Sequence, residues 1–280
     1  AAFGGGSRTE GHPMRTISIT SGKGGVGKTA VSANLGIKLA EKGWRTAIID
    51  CDFGLANLAL NMGLEPRRTL HDVVQERCSL MQALCEGPGG VQVLAGCSGV
   101  RALAELDYER LRSISGGFQE LERNFDFILL DNAAGLSPGV LSVSAAADEA
   151  LLVFTPDPSS MMDAYASAKL LFQMKPGARV GCVVNSVGSE EEAKILFKKL
   201  HAIVRDFLQE RIHYAACVRR DEAMVKAGRK RVPVTEFDPR SISARDFDEL
   251  AGHVCGMPPR SPTKASFIDR LLGRRRAAAA

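Results

Sequence analysis

Two lysines lie in a glycine-rich segment near the start of the chain, SGKGGVGKT at residues 21–29. Glycines let a backbone curl until several of its N–H groups point at one centre, which suits the oxygens of a phosphate. In such a loop Lys28 would reach the outer phosphates of a nucleotide, and the Thr29 hydroxyl would ligate Mg²⁺. A glycine turn that binds nothing is the alternative, but the complete motif favours a phosphate site. The residues predicted to surround the phosphates are Gly24, Gly25, Val26, Gly27, Lys28, Thr29 and Ala30.

Short apolar segments that alternate with longer helical patterns would position this loop. Seven segments are nearly all apolar, as expected for strands buried on both faces of a sheet. They are residues 15–20, 45–50, 91–96, 125–131, 149–155, 179–185 and 213–218. The helical patterns between them are residues 30–43, 107–124, 158–174 and 190–211. This rhythm predicts an α/β fold, with a doubly wound, mostly parallel sheet and helices on both of its faces.

Composition and charge divide the chain into three parts. Residues 14–257 carry the strand and helix patterns and are predicted to form one domain, whereas residues 1–13 look like an expression remnant or a flexible N-terminus. Residues 258–280 combine a proline-rich linker with a basic tail: six cations and one carboxylate lie between residues 260 and 276, in a chain of net charge +4. The seven cysteines form no Cys-x-x-Cys pair, which fits a reducing cytoplasm and disfavours zinc or iron–sulfur sites.

The extra lysine, Lys23, makes the loop more specific. The loop resembles the deviant Walker A motif, K-G-G-x-G-K-[ST], of the MinD/ParA class of ATPases. The resemblance implies a P-loop NTPase fold, weak hydrolysis of ATP with Mg²⁺, and a homodimer that forms with ATP. It also implies that Lys23 crosses the dimer interface and neutralises charge on the partner's nucleotide. Asp157 and Asp163 match acidic residues that face the partner subunit, and Asp163 is predicted to dock Lys23. A solvated surface lysine is the alternative.

Three aspartates complete the site that the resemblance implies. Asp50 and Asp52 lie in DCDFGLANL, residues 50–58, which is similar to the switch I segment of the family. Asp52 would orient the attacking water, and Asp50 would support the Mg²⁺ shell. Asp131 ends an apolar strand in a segment similar to Walker B and switch II, where a carboxylate can hold a metal-bound water. The implied metal set is Thr29, Asp50 and Asp131. The implied catalytic set is Lys23, Lys28 and Asp52.

The base of the nucleotide is assigned from the end of a late strand. Asn185 begins the tetrapeptide NSVG, where a guanine-specific protein would show N-K-x-D with an aspartate that reads the guanine edge. The missing motif favours adenine. Val218, Arg219 and Arg220 match the loop that lines the adenine in the family. The sequence therefore predicts that these four residues surround the base of ATP.

Longer stretches indicate a branch of the family. The segments RTLHDVV, GPGGVQVLAG, TPDPSSMMDAYASAKLL, VVNSV and PRSISA together look most like the flagellar-number regulators of the FlhG/FleN group. Members of this group limit or place flagella and work against a signal-recognition-type flagellar GTPase, FlhF. The resemblance implies a partner of that kind, or a flagellar regulator or switch protein. It also implies a cytoplasmic protein that is peripheral on the inner face of the cell membrane when it binds ATP.

The tail adds an independent signal for a membrane. In KASFIDRLLGRRR, residues 264–276, one helical face is apolar and cations flank it. Such a helix can lie on an anionic membrane, and two weak anchors in a dimer gain from avidity. A terminal helix that docks on the core is the alternative. The residues predicted to enter the membrane are Phe267, Ile268, Leu271 and Leu272.

Three other functions remain as alternatives. A ParA-like partition ATPase would bind DNA, for which residues 219–231 offer six cations against two acids, although a solvated helix face explains them as well. An iron–sulfur carrier on the same fold lacks the expected Cys-x-x-Cys. A dehydrogenase is suggested only by Tyr165 and Lys169, a Y-x-x-x-K pattern that is common by chance.

Overall fold

A computed structural model describes residues 14–52, 57–96, 108–258 and 265–279 of the chain, and an eight-stranded sheet forms the centre of the described part. The strands are β1 Arg15–Thr20, β2 Thr46–Asp50, β3 Cys85–Glu86, β4 Gln92–Leu94, β5 Phe127–Asp131, β6 Glu149–Phe154, β7 Val180–Val187 and β8 His213–Arg219. Their spatial order is β3-β4-β2-β5-β1-β6-β7-β8, and every neighbouring pair is parallel except β3 and β4. The predicted doubly wound, mostly parallel sheet is confirmed.

Helices cover both faces of this sheet. The longer ones are α1 Lys28–Glu41, α6 Ser115–Asn124, α7 Pro138–Ala146, α8 Pro158–Met174, α9 Glu190–Leu208, α10 Glu222–Lys230, α12 Ile242–Gly256 and α13 Phe267–Ala279. Shorter ones are α2 Asn57–Asn61, α3 Leu70–Val74, α4 Leu80–Ala83, α5 Tyr108–Ser113 and α11 Val234–Phe237. Strands β1, β2, β5 and β6 are buried along their whole length, because helices pack on each side of them.

The sequence patterns locate most elements but not all. All seven predicted strands are present, and the helix predicted at 158–174 has those bounds. The single helix predicted at 107–124 is instead two helices, α5 and α6. The two-residue strand β3 was not predicted, because a pair of residues is too short to show any periodicity. None of the helices in the described ranges has the length and apolarity that a membrane crossing requires.

Helix α13, the tail helix, packs on the core, as in the alternative stated above, so the predicted membrane-binding face is covered in this conformation. Phe267, Ile268, Leu271 and Leu272 are only 0–9% exposed and join the same hydrophobic cluster as side chains of α6 and α7. The ring of Phe267 lies 5.8 Å from that of Phe118. An apolar helical face is satisfied equally well by protein and by lipid, so periodicity alone does not separate the two environments. In this conformation the face is not available to a membrane.

Polar contacts hold the tail helix at both sides of its first turn. The backbone N–H of Phe267 donates to Glu122 Oε1 at 2.7 Å. The Arg270 guanidinium pairs with Asp148 at 3.2 Å and donates to the Ala146 carbonyl at 2.7 Å. The preceding residues 259–264 and the side chains of Arg274–Arg276 lie outside the described part of the chain, so the predicted cationic flank is represented here by Arg270.

Candidate functional site

The carboxyl ends of the parallel strands meet at one edge of the sheet, and the glycine segment begins there. It connects β1 to α1, whose first residue is Lys28. Gly27 has φ of +94°, a conformation that L side chains rarely adopt, and the Asn185 amide occupies the space into which a Cβ would extend. Asn185 Nδ2 donates to the Val26 carbonyl at 2.7 Å. The loop therefore requires glycine at this turn and is fastened to the end of β7.

Lys28 lies at the start of α1, with 8% of its surface exposed. Burial lowers the pKa of its ammonium group, while Asp131 and Asp52 oppose that change by stabilising the charge. A buried ammonium group near two carboxylates can keep its positive charge at neutral pH. Lys28 also lies at the N-terminus of a helix, where phosphate groups bind favourably. The geometry supports the predicted role of Lys28 on the phosphates.

Two carboxylates lie next to each other at the ends of β2 and β5. Asp50 and Asp131 are register partners in the parallel ladder, and each is 1% exposed. Burial, together with the negative charge of Asp131, raises the pKa of Asp50 to about 8, and burial raises the pKa of Asp131 to about 6. Asp131 accepts hydrogen bonds from the hydroxyls of Ser32, at 2.8 Å, and of Thr29. These contacts place Thr29, Asp50 and Asp131 together, as predicted.

This oxygen-rich group fits Mg²⁺. Carboxylate and hydroxyl oxygens are hard ligands, and an adjacent cation would stabilise the charged form of both buried carboxylates. In the described ranges no group of three or more His, Cys, Asp or Glu side chains could hold a metal alone. Mg²⁺ in such a site needs further oxygens, which nucleotide phosphates and water supply. Thr29, Asp50 and Asp131 would hold it beside the phosphate loop, where it would neutralise phosphate charge.

Asp52 lies just beyond β2, at the edge of this group. Its backbone N–H donates to Asp50 Oδ1 at 2.9 Å, and its side chain is partly exposed. Its charge reaches both Lys28 and Asp131, because it contributes to the pKa shifts of both groups. A partly exposed carboxylate beside the phosphate loop is suited to hold a water, which agrees with its proposed role. Residues 53–56 of the predicted switch I segment lie outside the described part.

Lys23 extends to the start of α8 in its own chain, where it contacts Asp157 and Ser159, and does not reach Asp163 further along that helix. Its Nζ donates to Asp157 Oδ2 at 3.0 Å and to Ser159 Oγ at 2.6 Å. The bond from Lys23 lowers the pKa of Asp157, whose other oxygen accepts from the Ser159 N–H at the start of the helix. Within this single chain Lys23 does not contact Asp163, and a contact between them across a dimer interface stays a prediction. The backbone of Asp163 instead packs against Gly22, so that a side chain at position 22 would have no room.

A cavity of about 470 Å³ opens beside the phosphate loop and matches the predicted base site. It contains all four predicted base residues and several neighbours. Its lining is Asn185, Ser186, Val218, Arg219, Arg220, Asp221, Glu222, Met224 and Val225. Val225 is 57% exposed, so an apolar surface faces this cavity without cover from the described residues. A flat aromatic base would cover such a surface.

The sequence did not reveal three residues that organise this site. Ser32 lies one helical turn after Lys28 and bonds to both its carbonyl and Asp131, a relation that the i, i+4 spacing could have suggested. Ser159 shares Lys23 with Asp157. Asp246 fastens Arg219 from α12, and no local pattern connects residues so distant in the sequence.

The chain resembles known proteins over most of its length. Residues 17–234 match the CobQ/CobB/MinD/ParA nucleotide binding domain. The antiactivator FleN of Pseudomonas aeruginosa is 38% identical over 264 residues, which cover 93% of this chain and 94% of that protein. The flagellum site-determining protein YlxH of Helicobacter pylori is 27% identical, with 91% and 89% covered. The structure of septum site-determining protein MinD from Pyrococcus horikoshii with Mg-ADP matches with a TM-score of 0.70 at 28% identity, covering 87% and 96% of the two chains.

These similarities agree with the site that the fold assembles. The phosphate loop, the paired carboxylates and the base cavity occupy the carboxyl edge of a parallel sheet, where α/β proteins bind nucleotides. The Pyrococcus horikoshii MinD structure is a complex with Mg-ADP. The matched residues include the phosphate loop and both carboxylates. The chain therefore belongs to the CobQ/CobB/MinD/ParA nucleotide-binding family, as an ATP hydrolase of the MinD/ParA class.

Proposed function

We propose that this protein is an ATP-dependent dimerisation and membrane-association switch that regulates the number or placement of flagella. The observation that carries the proposal is the position of α7, between the nucleotide edge of the sheet and the tail helix. It begins shortly after Asp131, and its last residue, Ala146, accepts the hydrogen bond from Arg270. Val143 and Ala146 belong to the apolar cluster that buries the tail. One helix thus contacts both ends of the proposed switch.

A buried polar group links α7 to the strand that carries Asp131. Asn132 donates from Nδ2 to Ser18 Oγ at 2.7 Å and to Ser144 Oγ at 3.0 Å. Ser144 lies on α7, and Asn132 directly follows Asp131. A movement of the segment after Asp131, when nucleotide and Mg²⁺ are held there, would displace α7 and with it the surface that holds the tail.

Membrane association in this scheme requires the tail helix to leave the core. Four apolar side chains face the core in the docked state, and the same face would enter lipid after release. Each contributes about 1.5–3 kcal/mol when it is removed from water, so the released face gains by finding lipid. A dimer would present two such helices, and avidity would convert two weak anchors into stable binding.

The flagellar part of the proposal comes from the relatives. FleN of Pseudomonas aeruginosa is named an antiactivator and YlxH of Helicobacter pylori a flagellum site-determining protein. By analogy, the partner of this chain is a flagellar regulator, a switch protein or an FlhF-type GTPase. Pull-down with the ATP-bound protein from cells of the source organism should recover such a partner. Recovery of duplex DNA in a salt-sensitive manner, with no flagellar protein, would favour the partition alternative.

Liposome sedimentation tests the switch itself. The full chain with ATP and Mg²⁺ should sediment with anionic vesicles and should be dimeric by light scattering. With ADP it should remain monomeric and in the supernatant. Vesicles made only of neutral lipid serve as the control, because basic tails are drawn to anionic headgroups. Equal sedimentation with ATP and ADP contradicts the switch, whatever the oligomeric state.

Nucleotide choice gives a separate prediction. The chain lacks N-K-x-D at Asn185, and its base cavity offers the apolar surface of Val225. We expect ADP to bind at least about tenfold more tightly than GDP in the presence of Mg²⁺, since no aspartate of such a motif reads guanine. Isothermal titration calorimetry with the two diphosphates measures the difference. Equal or tighter binding of GDP would show that the assignment of the base is wrong.

The role of Asp52 gives a further prediction. The Asp52→Ala variant should bind ATP with nearly unchanged affinity, because the phosphates are held by the loop and Lys28. Its hydrolysis rate should fall at least about 100-fold, since the attacking water loses its acceptor. The variant should also accumulate as the ATP-bound dimer. Phosphate release at the rate of the unmodified protein would remove Asp52 from the mechanism. Asp206→Ala, an exposed carboxylate on α9, is the control.

A further inference from the structure

The wall of the base cavity is fastened from behind by a carboxylate that the nucleotide site does not contain. Residues 219–222 form one side of the cavity, between the end of β8 and the start of α10. Behind them lies α12, whose Asp246 is only 1% exposed. An aspartate buried to this degree is rare unless it is paired.

Asp246 holds both the backbone and the side chain of Arg219. Its Oδ2 accepts from the Arg219 N–H at 2.7 Å, and its Oδ1 accepts from Nε at 3.0 Å and also from Nη2. Charge-assisted bonds in this forked arrangement are stronger and more directional than bonds between neutral groups. They fix the direction in which the chain leaves β8, and they keep the Arg219 guanidinium on α12.

Asp221 makes a second link between the same two elements. It caps α10 by accepting from the Ala223 N–H at 2.9 Å. Its other oxygen accepts from the Ser243 N–H at 3.0 Å and from the Ser243 hydroxyl at 2.9 Å. Both links end on the first part of α12, and this helix is anchored in the core by Phe247 and Leu250, which are fully buried.

The opposite side of the loop is joined to the strand end that carries Asn185. The Arg220 N–H donates to the Val187 carbonyl at 2.7 Å, and its Nε donates to the Ser186 carbonyl at 2.9 Å. The cavity wall is thus connected to the core on both sides. When the wall is already ordered before binding, less conformational entropy is lost on binding, and the affinity for the ligand is higher.

We propose that Asp246 is a positioning residue for the adenine of ATP, acting through Arg219 to hold the cavity wall in its binding position. This role of Asp246 rests on the proposed assignment of the cavity to the base. Asp246 does not touch the nucleotide in this scheme. It contributes to the binding of nucleotides that carry a base and does not contribute to the binding of phosphates alone. Asp221 supports the same wall through Ser243.

Two ligands separate this role from a general effect on the fold. The Asp246→Asn variant keeps the shape of the side chain but loses the charge that binds the guanidinium. We expect its Kd for Mg-ADP to rise about tenfold, while its Kd for inorganic tripolyphosphate with Mg²⁺ stays within about twofold of the unmodified protein. KM for ATP should rise by the same factor with kcat unchanged. Asp248→Asn is the matched control, because it makes the same change at an exposed ion pair on the same helix.

The outcomes are decisive in both directions. A selective loss of ADP affinity in Asp246→Asn, absent in Asp248→Asn, supports the proposal. Unchanged ADP affinity, or equal losses for ADP and tripolyphosphate, overturns it. If Asp246→Asn does not fold, Arg219→Gln tests the same contact from its other partner and is judged by the same two ligands. If the unmodified protein fails to dimerise with ATP but Asp246→Asn shows the selective loss, this inference holds and the proposed switch is wrong.

Discussion

Lys23→Ala and Lys28→Ala are expected to fail in different ways. Lys28→Ala should weaken binding of Mg-ADP to the monomer roughly 10- to 100-fold, because it removes a cation from the chain's own phosphate loop. Lys23→Ala should leave that affinity within about twofold and should abolish the proposed ATP-dependent dimer. The difference follows from position: Lys28 is buried at the start of α1, whereas Lys23 is half exposed and extends along the surface to Asp157 and Ser159.

The contact of Lys23 with its own α8 is compatible with a role across an interface. The pair with Asp157 is solvent-exposed on both sides, and exposed ion pairs contribute little to stability. Lys23 can therefore exchange this partner for the phosphates of a second subunit at small cost. In the closed dimer the same ammonium group would neutralise charge that develops on the transferred phosphoryl group.

Calorimetry with ADP and light scattering with ATP measure the two effects separately. Lys42→Ala is a suitable control, because it removes a lysine that pairs with Asp248 on a different surface. It should change neither measurement. A Lys23→Ala protein that dimerises with ATP and sediments with liposomes like the unmodified protein would disprove the action in trans. Equal losses of ADP affinity in both lysine variants would also disprove it, since Lys23 would then serve its own nucleotide.

The sheet and the phosphate loop were predictable because their signals are local. Strands such as β2 and β5 contain short apolar runs that end at an aspartate, and helices follow them with a different period. The glycines before Lys28 need no tertiary information, because a turn with positive φ selects glycine directly. Asp131 could be placed for the same reason, since it is the residue at which an apolar strand ends.

Other features depend on elements that are distant in the sequence. Asp246 and Arg219 meet only when α12 packs on β8, and neither residue carries a local pattern. The contact that Lys23 makes within its own chain could not be assigned from the sequence, because Asp157 and Asp163 both lie near the start of α8 and only the packing of that helix against Gly22 distinguishes them. Periodicity located the apolar face of the tail helix but gave no information about what covers it.

The groove that holds the tail helix gives the second large expected effect. Glu122 and Asp148 contact the tail from the core side, so changing them leaves the tail's own residues intact. The double variant Glu122→Ala with Asp148→Asn removes the acceptor for the Phe267 N–H and the charge opposite Arg270. The two contacts together contribute about 1–3 kcal/mol to docking, so their loss favours the released tail by about 5- to 150-fold.

We therefore expect the double variant to bind anionic vesicles without ATP, at a lipid concentration about tenfold lower than the ADP-bound unmodified protein requires. The control is Glu65→Ala with Asp206→Asn, which makes the same change in net charge at exposed positions away from the groove and should sediment like the unmodified protein. Binding that stays dependent on ATP in the double variant would mean that docking does not limit membrane association. Equal binding by both double variants would mean that net charge alone draws the protein to the vesicle. A selective gain would identify the docked tail as the element that keeps the nucleotide-free and ADP-bound protein away from the membrane.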